Sequence, residues 1–211
     1  TLVQVRDRVE IPVERPAGAM AGKGGIAVRM QPRIADGLAG VREYMSQYPY
    51  SCLEQKISKA VALRDKGLWQ ERMRELPAYL DGEGLLKYFP LLRTGSDALT
   101  AYVMAVSHEA GLEIPAALRE QMSAGLEGFV EGHIRRGSDL ATADLAVRKV
   151  AAVEALSRYG KAKAALLASV AVEPHLWPTS AVIDWIGVLK RTADIPDRAK
   201  KLDAAQQVLR S

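Results

Sequence analysis

The stretch from Tyr48 to Gly67, YPYSCLEQKISKAVALRDKG, decides how the rest of the chain is read. A proline-containing lead gives way to Ser51 and, three residues on, Glu54. S-x-x-E is the pattern of a capping box, in which hydroxyl and carboxylate satisfy free amides at a helix start. Alanine, leucine and valine follow at helical spacing, and Gly67 supplies a stop, so the segment predicts a helix from Cys52 to Lys66. On that reading Cys52 takes the first helical position and Gln55 the fourth, one turn apart on the same face. Cys52 is the only cysteine in 211 residues.

Outward from this helix the same punctuation recurs: a polar or proline start, an apolar stretch at helical spacing, and in several cases a glycine stop. It predicts further helices at Gly37 to Ser46, Leu68 to Leu76, Asp97 to Ala110, Pro115 to Ile134, Thr142 to Tyr159, Ala162 to Val170, Thr179 to Arg191 and Pro196 to Leu209. Broad alanine-rich faces suit helices that pack on both neighbours. With no exact repeat, successive antiparallel helix pairs point to a mainly α fold, a solenoid or a closed αα-toroid. The first residues differ. Val3, Val5, Val9, Ile11 and Val13 alternate as in a half-buried strand, and a second short strand is expected at Gly25 to Met30, beyond the glycine-rich loop PAGAMAGKGG. Residues 1–34 thus read as a short β segment, the remnant of a preceding domain, and 35–211 as the helical domain. A start without methionine, in mid-strand, reads as a piece of a longer protein.

Composition narrows the class of function. Apolar residues make up 48% and charged residues 26%, enough for a sizeable core. The net charge of +4 is dispersed among acids, against a nucleic-acid partner that needs a concentrated basic face. No stretch is apolar for long enough to cross a bilayer, and one cysteine makes no internal disulfide. One cysteine and three scattered histidines give no metal-ligand spacing, and there is no G-x-S-x-G elbow or phosphate-binding glycine loop.

The chemistry, if any, centres on Cys52. A helix N-terminus favours thiolate over thiol and makes a better nucleophile, while a buried structural cysteine is the ordinary alternative. Gln55 adds a specific possibility: a thiolate set against the side-chain amide at i+3 can expel ammonia and leave an internal thioester.

YPYSCLEQ resembles the thioester segment of the alpha-2-macroglobulin and complement family, whose motif is C-x-E-Q with the bond between Cys and Gln. Cys52, Leu53, Glu54 and Gln55 match it position by position, and the Tyr-Pro-Tyr lead is similar to the bacterial branch. The segment Gly95 to Val103, GSDALTAYV, is similar to the "LTAYV" helix of the same domain, and DGEGLLKYFP at Asp81 to Pro90 resembles the turn before it. The resemblance runs from about Asp36 to the C-terminus, with its sharp motifs between Tyr48 and Val103.

It implies a thioester domain of a bacterial alpha-2-macroglobulin: a toroid of paired helices, incomplete in so short a chain, after a CUB-like or linker domain. Cys52 and Gln55 would form the bond, and Glu54 would assist or cap. No cofactor is implied beyond this internal cross-link. Attack on the Gln55 carbonyl by a lysine of a target protease would release the Cys52 thiol, so the protein is a single-turnover trap triggered by bait cleavage, not an enzyme. The same carbonyl must be kept dry until then. Tyr48, Tyr50, Trp69, Tyr88, Phe89 and Tyr102 are the aromatic candidates for a shield, of which Tyr50 and Tyr88 are selected. Some members use a downstream histidine to redirect the acyl group to hydroxyls; His108, His133 and His175 sit in no matching segment, which leaves amines as the acceptors. The resemblance further implies other domains of the same chain as partners, a cell-wall synthesis protein as a possible one, a periplasmic location with a lipoprotein anchor on the inner membrane, and a part in evading host defence. Two rivals remain. One is a helical interaction module in which Cys52 is a plain thiol. The other is an αα-toroid enzyme, which needs paired carboxylates around a cavity where only Glu54 can be placed.

Overall fold

The glycine-punctuated pattern becomes a helical body. The computed structural model describes residues 3–26, 28, 30, 39–137, 142–170 and 173–210. Its α-helices among these residues are α1 (Ala39–Ser46), α2 (Leu53–Leu63), α3 (Lys66–Glu75), α4 (Asp97–Glu109), α5 (Ala116–Glu131), α6 (Thr142–Arg158), α7 (Thr179–Arg191) and α8 (Arg198–Val208). The protein is mainly α, with the paired-helix arrangement of an αα-toroid. Helices α2, α4 and α6 pack in a row, each touching the next, while the intervening α3 and α5 and the following α7 pack against members of that row.

The row is the core. Leu53 and Ile57 of α2, Leu99, Val103 and Met104 of α4, and Val150, Val153 and Leu156 of α6 are all buried. Met122, Leu126 and Phe129 of α5 and Val182, Trp185 and Leu189 of α7 close it from the flanks. Each such side chain contributes about 1.5–3 kcal/mol of burial. Two ion-pair systems fasten helices across this core. Arg148 of α6 grips buried Asp97 of α4 through both carboxylate oxygens and lies over the Phe129 ring of α5, 5.2 Å from its centroid. Buried Glu154 of α6 accepts from Arg158 and from Arg191 of α7, both at 2.8 Å.

Several helix limits differ from expectation. The helix that begins near Cys52 ends at Leu63, because Arg64 adopts the left-handed conformation and Asp65 then caps α3, accepting from the Leu68 amide at 2.9 Å. Gly67 therefore lies in the first turn of α3, and no glycine is needed for the stop. The segment expected as a helix from Ala162 to Val170 is a 3₁₀ run, Ala164–Ser169, and two more 3₁₀ turns occur at Leu76–Tyr79 and Pro174–Leu176. A segment this short gains little from α-helical propagation after the cost of nucleation. Gly37 and Leu38, at the expected start of the first helix, and the expected 34/35 boundary lie outside the described residues.

The expected β segment is corrected. Val3, Val5, Val9, Ile11 and Val13 are exposed and irregular, and Gly25, Ile26, Val28 and Met30 form no strand; Ala27 and Arg29 lie outside the described residues. Alternation supplies a face, but a strand also needs a neighbour to take its backbone hydrogen bonds, and among the described residues these have none. By internal contacts the chain divides into two units, Thr1–Leu38 and Ala39–Ser211. Among the described residues no helix is long and apolar enough to cross a membrane.

Candidate functional site

The site begins at the N-terminus of α2, and its cap is shifted by one residue from the predicted one. Cys52, not Ser51, is the N-cap, and Gln55, not Glu54, is the third helical residue that reaches back. Gln55 Oε1 accepts from the Cys52 amide at 3.2 Å. The capping box thus uses the very pair that C-x-E-Q singles out, while Ser51 and Glu54 are exposed. The S-x-x-E pattern and the C-x-x-Q pattern overlap in sequence, and only the start of the helix decides between them. Cys52 and Gln55 are each half-buried.

One wall beside this pair is built from the 80–96 segment. Leu80 bridges to Leu86 and Leu86 to Ser96. Asp81, its side chain 3% exposed, organises the turn: it accepts from the amides of Glu83, Leu85 and Gly95 at 2.7–3.0 Å and from Arg136 at 2.8 Å. Burial by itself would raise the pKa of the Asp81 carboxyl, but those hydrogen bonds outweigh it and hold the group below its ordinary value. Two glycines admit the close approaches. A Cβ at Gly84, whose φ is +83°, would lie 2.3 Å from the Gln121 carbonyl oxygen, and one at Gly95 would lie 2.3 Å from that of Leu85. Thr100 of α4 adds a further tie, accepting from the Leu86 amide at 2.8 Å and donating to the Ser96 carbonyl at 2.7 Å.

This scaffold carries Tyr88 to the site. Its carbonyl accepts from the Leu53 amide at 2.9 Å, satisfying one of the free donors at the start of α2. Its half-buried phenol is pushed to a higher pKa, first by burial and then by the negative charge of Glu54, with Cys52 contributing and a hydrogen bond with Ser96 opposing.

A second wall comes from α1 and the residues after it. Tyr44, Met45 and Tyr48 face Glu54, Gln55 and Ser58 of α2 across an open groove of about 290 Å³. The rings of Tyr44, Tyr48 and Tyr50 form a chain with centroids 5.4 and 5.3 Å apart. Tyr50, at 64% exposed, is an outer member of that chain. The Ser58 hydroxyl hydrogen-bonds with the Tyr102 hydroxyl at 2.7 Å. Hydrogen bonds that join α1 to α2 run from Arg42 to the Leu63 carbonyl at 3.2 Å and from Lys59 to the Ser46 carbonyl at 3.0 Å.

The remaining candidates take other places. Trp69 is a core anchor whose indole donates to the Glu113 carbonyl at 2.8 Å. Phe89 is exposed. His108 stacks edge-on against Tyr159, exposed His133 pairs with Glu131, and His175 lies in the Pro174–Leu176 turn. Among the described residues no cluster of ligands suits a metal. Sequence reasoning missed Tyr44, Met45, Ser58 and Lys59. The i, i+4 spacing of Tyr44 with Tyr48, and of Gln55 with Lys59, was the available signal.

A paired-helix body with a cysteine and a glutamine joined across one helix start defines the class of site. Among solved structures, the chain is similar to native Escherichia coli alpha-2-macroglobulin spanning domain MG7 to the C-terminus, with a TM-score of 0.64 and 17% identity over 81% of this chain and 31% of that one. It is also similar to the native conformation of the E. coli protein seen by cryo-electron microscopy, with a TM-score of 0.62 and 19% identity over 81% of this chain and 12% of that one. Salmonella alpha-2-macroglobulin reacted with methylamine gives a TM-score of 0.58 and 18% identity over 82% of this chain and 13% of that one. At such identities the likeness is one of fold. No known family's sequence profile matches the chain, and no curated protein matches it. The chain spans less than a third of the length of these structures.

Proposed function

We propose that the chain is the thioester domain of a bacterial alpha-2-macroglobulin, a trap that captures proteases covalently. The observation that carries this reading is the Cys52–Gln55 pair, juxtaposed at the start of α2 with Gln55 Oε1 at 3.2 Å from the Cys52 amide, in a fold shared with bacterial alpha-2-macroglobulins. In the reaction, Cys52 Sγ attacks the Gln55 side-chain carbonyl and ammonia leaves. The stored acyl group then passes to a lysine amine of an attacking protease after bait cleavage elsewhere in the parent chain, and the Cys52 thiol is freed. Tyr88 would limit water on one side and Tyr50 on the other. Glu54, exposed beside Gln55 and lining the groove with it, would assist. Because the protein is consumed in one turnover, it is an inhibitor and not an enzyme. Its other partners would be the remaining domains of the parent chain and a cell-wall synthesis protein, in the periplasm, on an inner-membrane lipid anchor.

A second reading has its own observation. The capping box uses Cys52 and Gln55 as ordinary hydrogen-bonding residues, which a helical interaction module with a plain thiol would also need. Intact mass of the freshly prepared full-length protein, before and after mild methylamine, separates the two. The thioester reading expects a mass short by one ammonia, then addition of one methylamine with a newly titratable Cys52. A full mass, a thiol open from the outset and no response to amine would overturn it in favour of the interaction module.

A further inference from the structure

We propose that Lys59 is an internal acceptor for the Gln55 acyl group, held away from it by the C-terminal carbonyl of α1. The proposal rests on the thioester reading, since it needs Gln55 to carry the activated carbonyl.

Gln55 and Lys59 are four residues apart within α2, so they neighbour each other on one face with Cβ atoms about 5–6 Å apart. Helical side chains lean toward the N-terminus, which carries a lysine at i+4 back over the turn that holds residue i. The four-carbon stem of Lys59 is therefore long enough to bring its amine to the Gln55 carbonyl. It is held elsewhere. Lys59 Nζ donates to the carbonyl of Ser46, the last residue of α1, at 3.0 Å. Among the described residues no carboxylate pairs with it.

The neighbouring lysine shows the contrast. Lys56 donates to the Tyr79 hydroxyl at 3.0 Å and to Glu75 at 3.3 Å, two contacts that tie it to the 3₁₀ turn after α3. Lys59 has a single neutral carbonyl instead. That carbonyl belongs to an eight-residue helix whose Val41 and Tyr44 are exposed. When α1 parts from α2, the hydrogen bond from Lys59 is lost together with the one from Arg42.

The step balances without another reactant. Once released, Lys59 gives its ammonium proton to solvent; the amine attacks the Gln55 side-chain carbonyl carbon, the carbon–sulfur bond breaks, an isopeptide amide forms, and the second proton lost by nitrogen ends on Cys52 sulfur. Mass is unchanged and the thiol is freed. An acceptor held one helical turn away has a large effective molarity and outcompetes dilute amines. The seating of α1 then decides whether the acyl group is passed to a protease or consumed within α2.

The test uses the full-length protein, opened by mild warming in amine-free buffer with no protease present, followed by intact mass, Cys52 alkylation and peptide mapping. Lys59→Arg keeps the charge and the Ser46 hydrogen bond but is no nucleophile; Lys56→Arg is the control. Support is an opened wild type still short by one ammonia, with Cys52 free and a Gln55–Lys59 linked peptide, while Lys59→Arg gains one water and Lys56→Arg behaves as wild type. A wild type that gains water on opening, with no linked peptide, or a link at Lys56 instead, overturns the proposal while leaving the thioester intact. A protein that carries its full mass and an alkylatable Cys52 before opening overturns the thioester reading, and this proposal with it.

Discussion

The two walls beside Cys52 and Gln55 are made differently. On the Tyr88 side, a short segment is fixed by a buried carboxylate that gathers three amides and an arginine, by glycines that admit backbone contact, and by Thr100 from the core row. On the α1 side, Tyr44 and Tyr50 are each more than 60% exposed, and side-chain bonds to single carbonyls join α1 to α2. The first wall is tied to the core row, since the Leu86 amide is bonded to Thr100 inside it and the Asp81 carboxylate that gathers the turn is itself 3% exposed. The second can open locally with little loss. The groove beside Gln55 is therefore expected to loosen first on the α1 side.

The largest test of this contrast is Asp81→Ala. It strands the Glu83, Leu85 and Gly95 amides and leaves Arg136 with Glu83 as its remaining carboxylate. Denaturant unfolding should show a loss of about 3–5 kcal/mol, and a loss below 1 kcal/mol would mean that the wall is not tied to the core. Gly84→Ala follows, at about 3 kcal/mol, because a side chain there combines a positive φ with a 2.3 Å approach to the Gln121 carbonyl.

A smaller effect separates the body from both walls. Asp184 on α7 has its pKa raised to about 6, first by burial and then by Glu154, with Arg158 and Arg191 opposing. The sign follows from linkage. Between the ordinary value of 3.8 and about 6 the folded state holds a proton that the unfolded state has lost, so this group's contribution falls as pH rises through that window. Asp184→Asn should remove that slope and raise stability at pH 7, on the order of 1 kcal/mol once solvent screening of a partly exposed group is allowed for. The measurement is the difference between variant and wild-type unfolding free energies at pH 4 and pH 7, and equal differences would refute it.

The smallest effect belongs to the α1 wall. Tyr50→Ala should change global stability by about 0.5 kcal/mol or less, since the ring lies mostly in water. In the same variant, and in Arg42→Ala, hydrogen exchange of residues 40–50 should quicken without change at Leu86 or Ser96. Slower unfolding kinetics shared by both walls, or protection of 40–50 equal to that of α4, would erase the distinction.

Much of this was written in the local sequence. Thr179–Arg191 forms the helix expected of it, residue for residue, and Asp97, Ala116 and Thr142 start helices within one residue of the predicted limits because proline or a polar cap stands before each, or the apolar period begins there. The odd-numbered valines near the start misled, because alternation states which face is apolar and says nothing about whether a second strand exists to pair with. Arg64 and Asp65 likewise ended α2 where no glycine marked it. Ser51 carried the cap signal in the sequence, yet Cys52 is the N-cap, and the Tyr88 carbonyl takes the Leu53 amide from 35 residues away.

The sequence by itself determined the helical class, the spacing that sets Cys52 and Gln55 on one turn, and the i, i+4 relation of Gln55 to Lys59, since each depends only on residues within a few positions of one another. Tertiary structure decided which residue begins α2, which aromatic ring lies half-buried beside it, and that the amine of Lys59 rests on α1. Those outcomes turn on hydrogen bonds and burial between segments far apart in the chain, and no local pattern records who the distant partner will be.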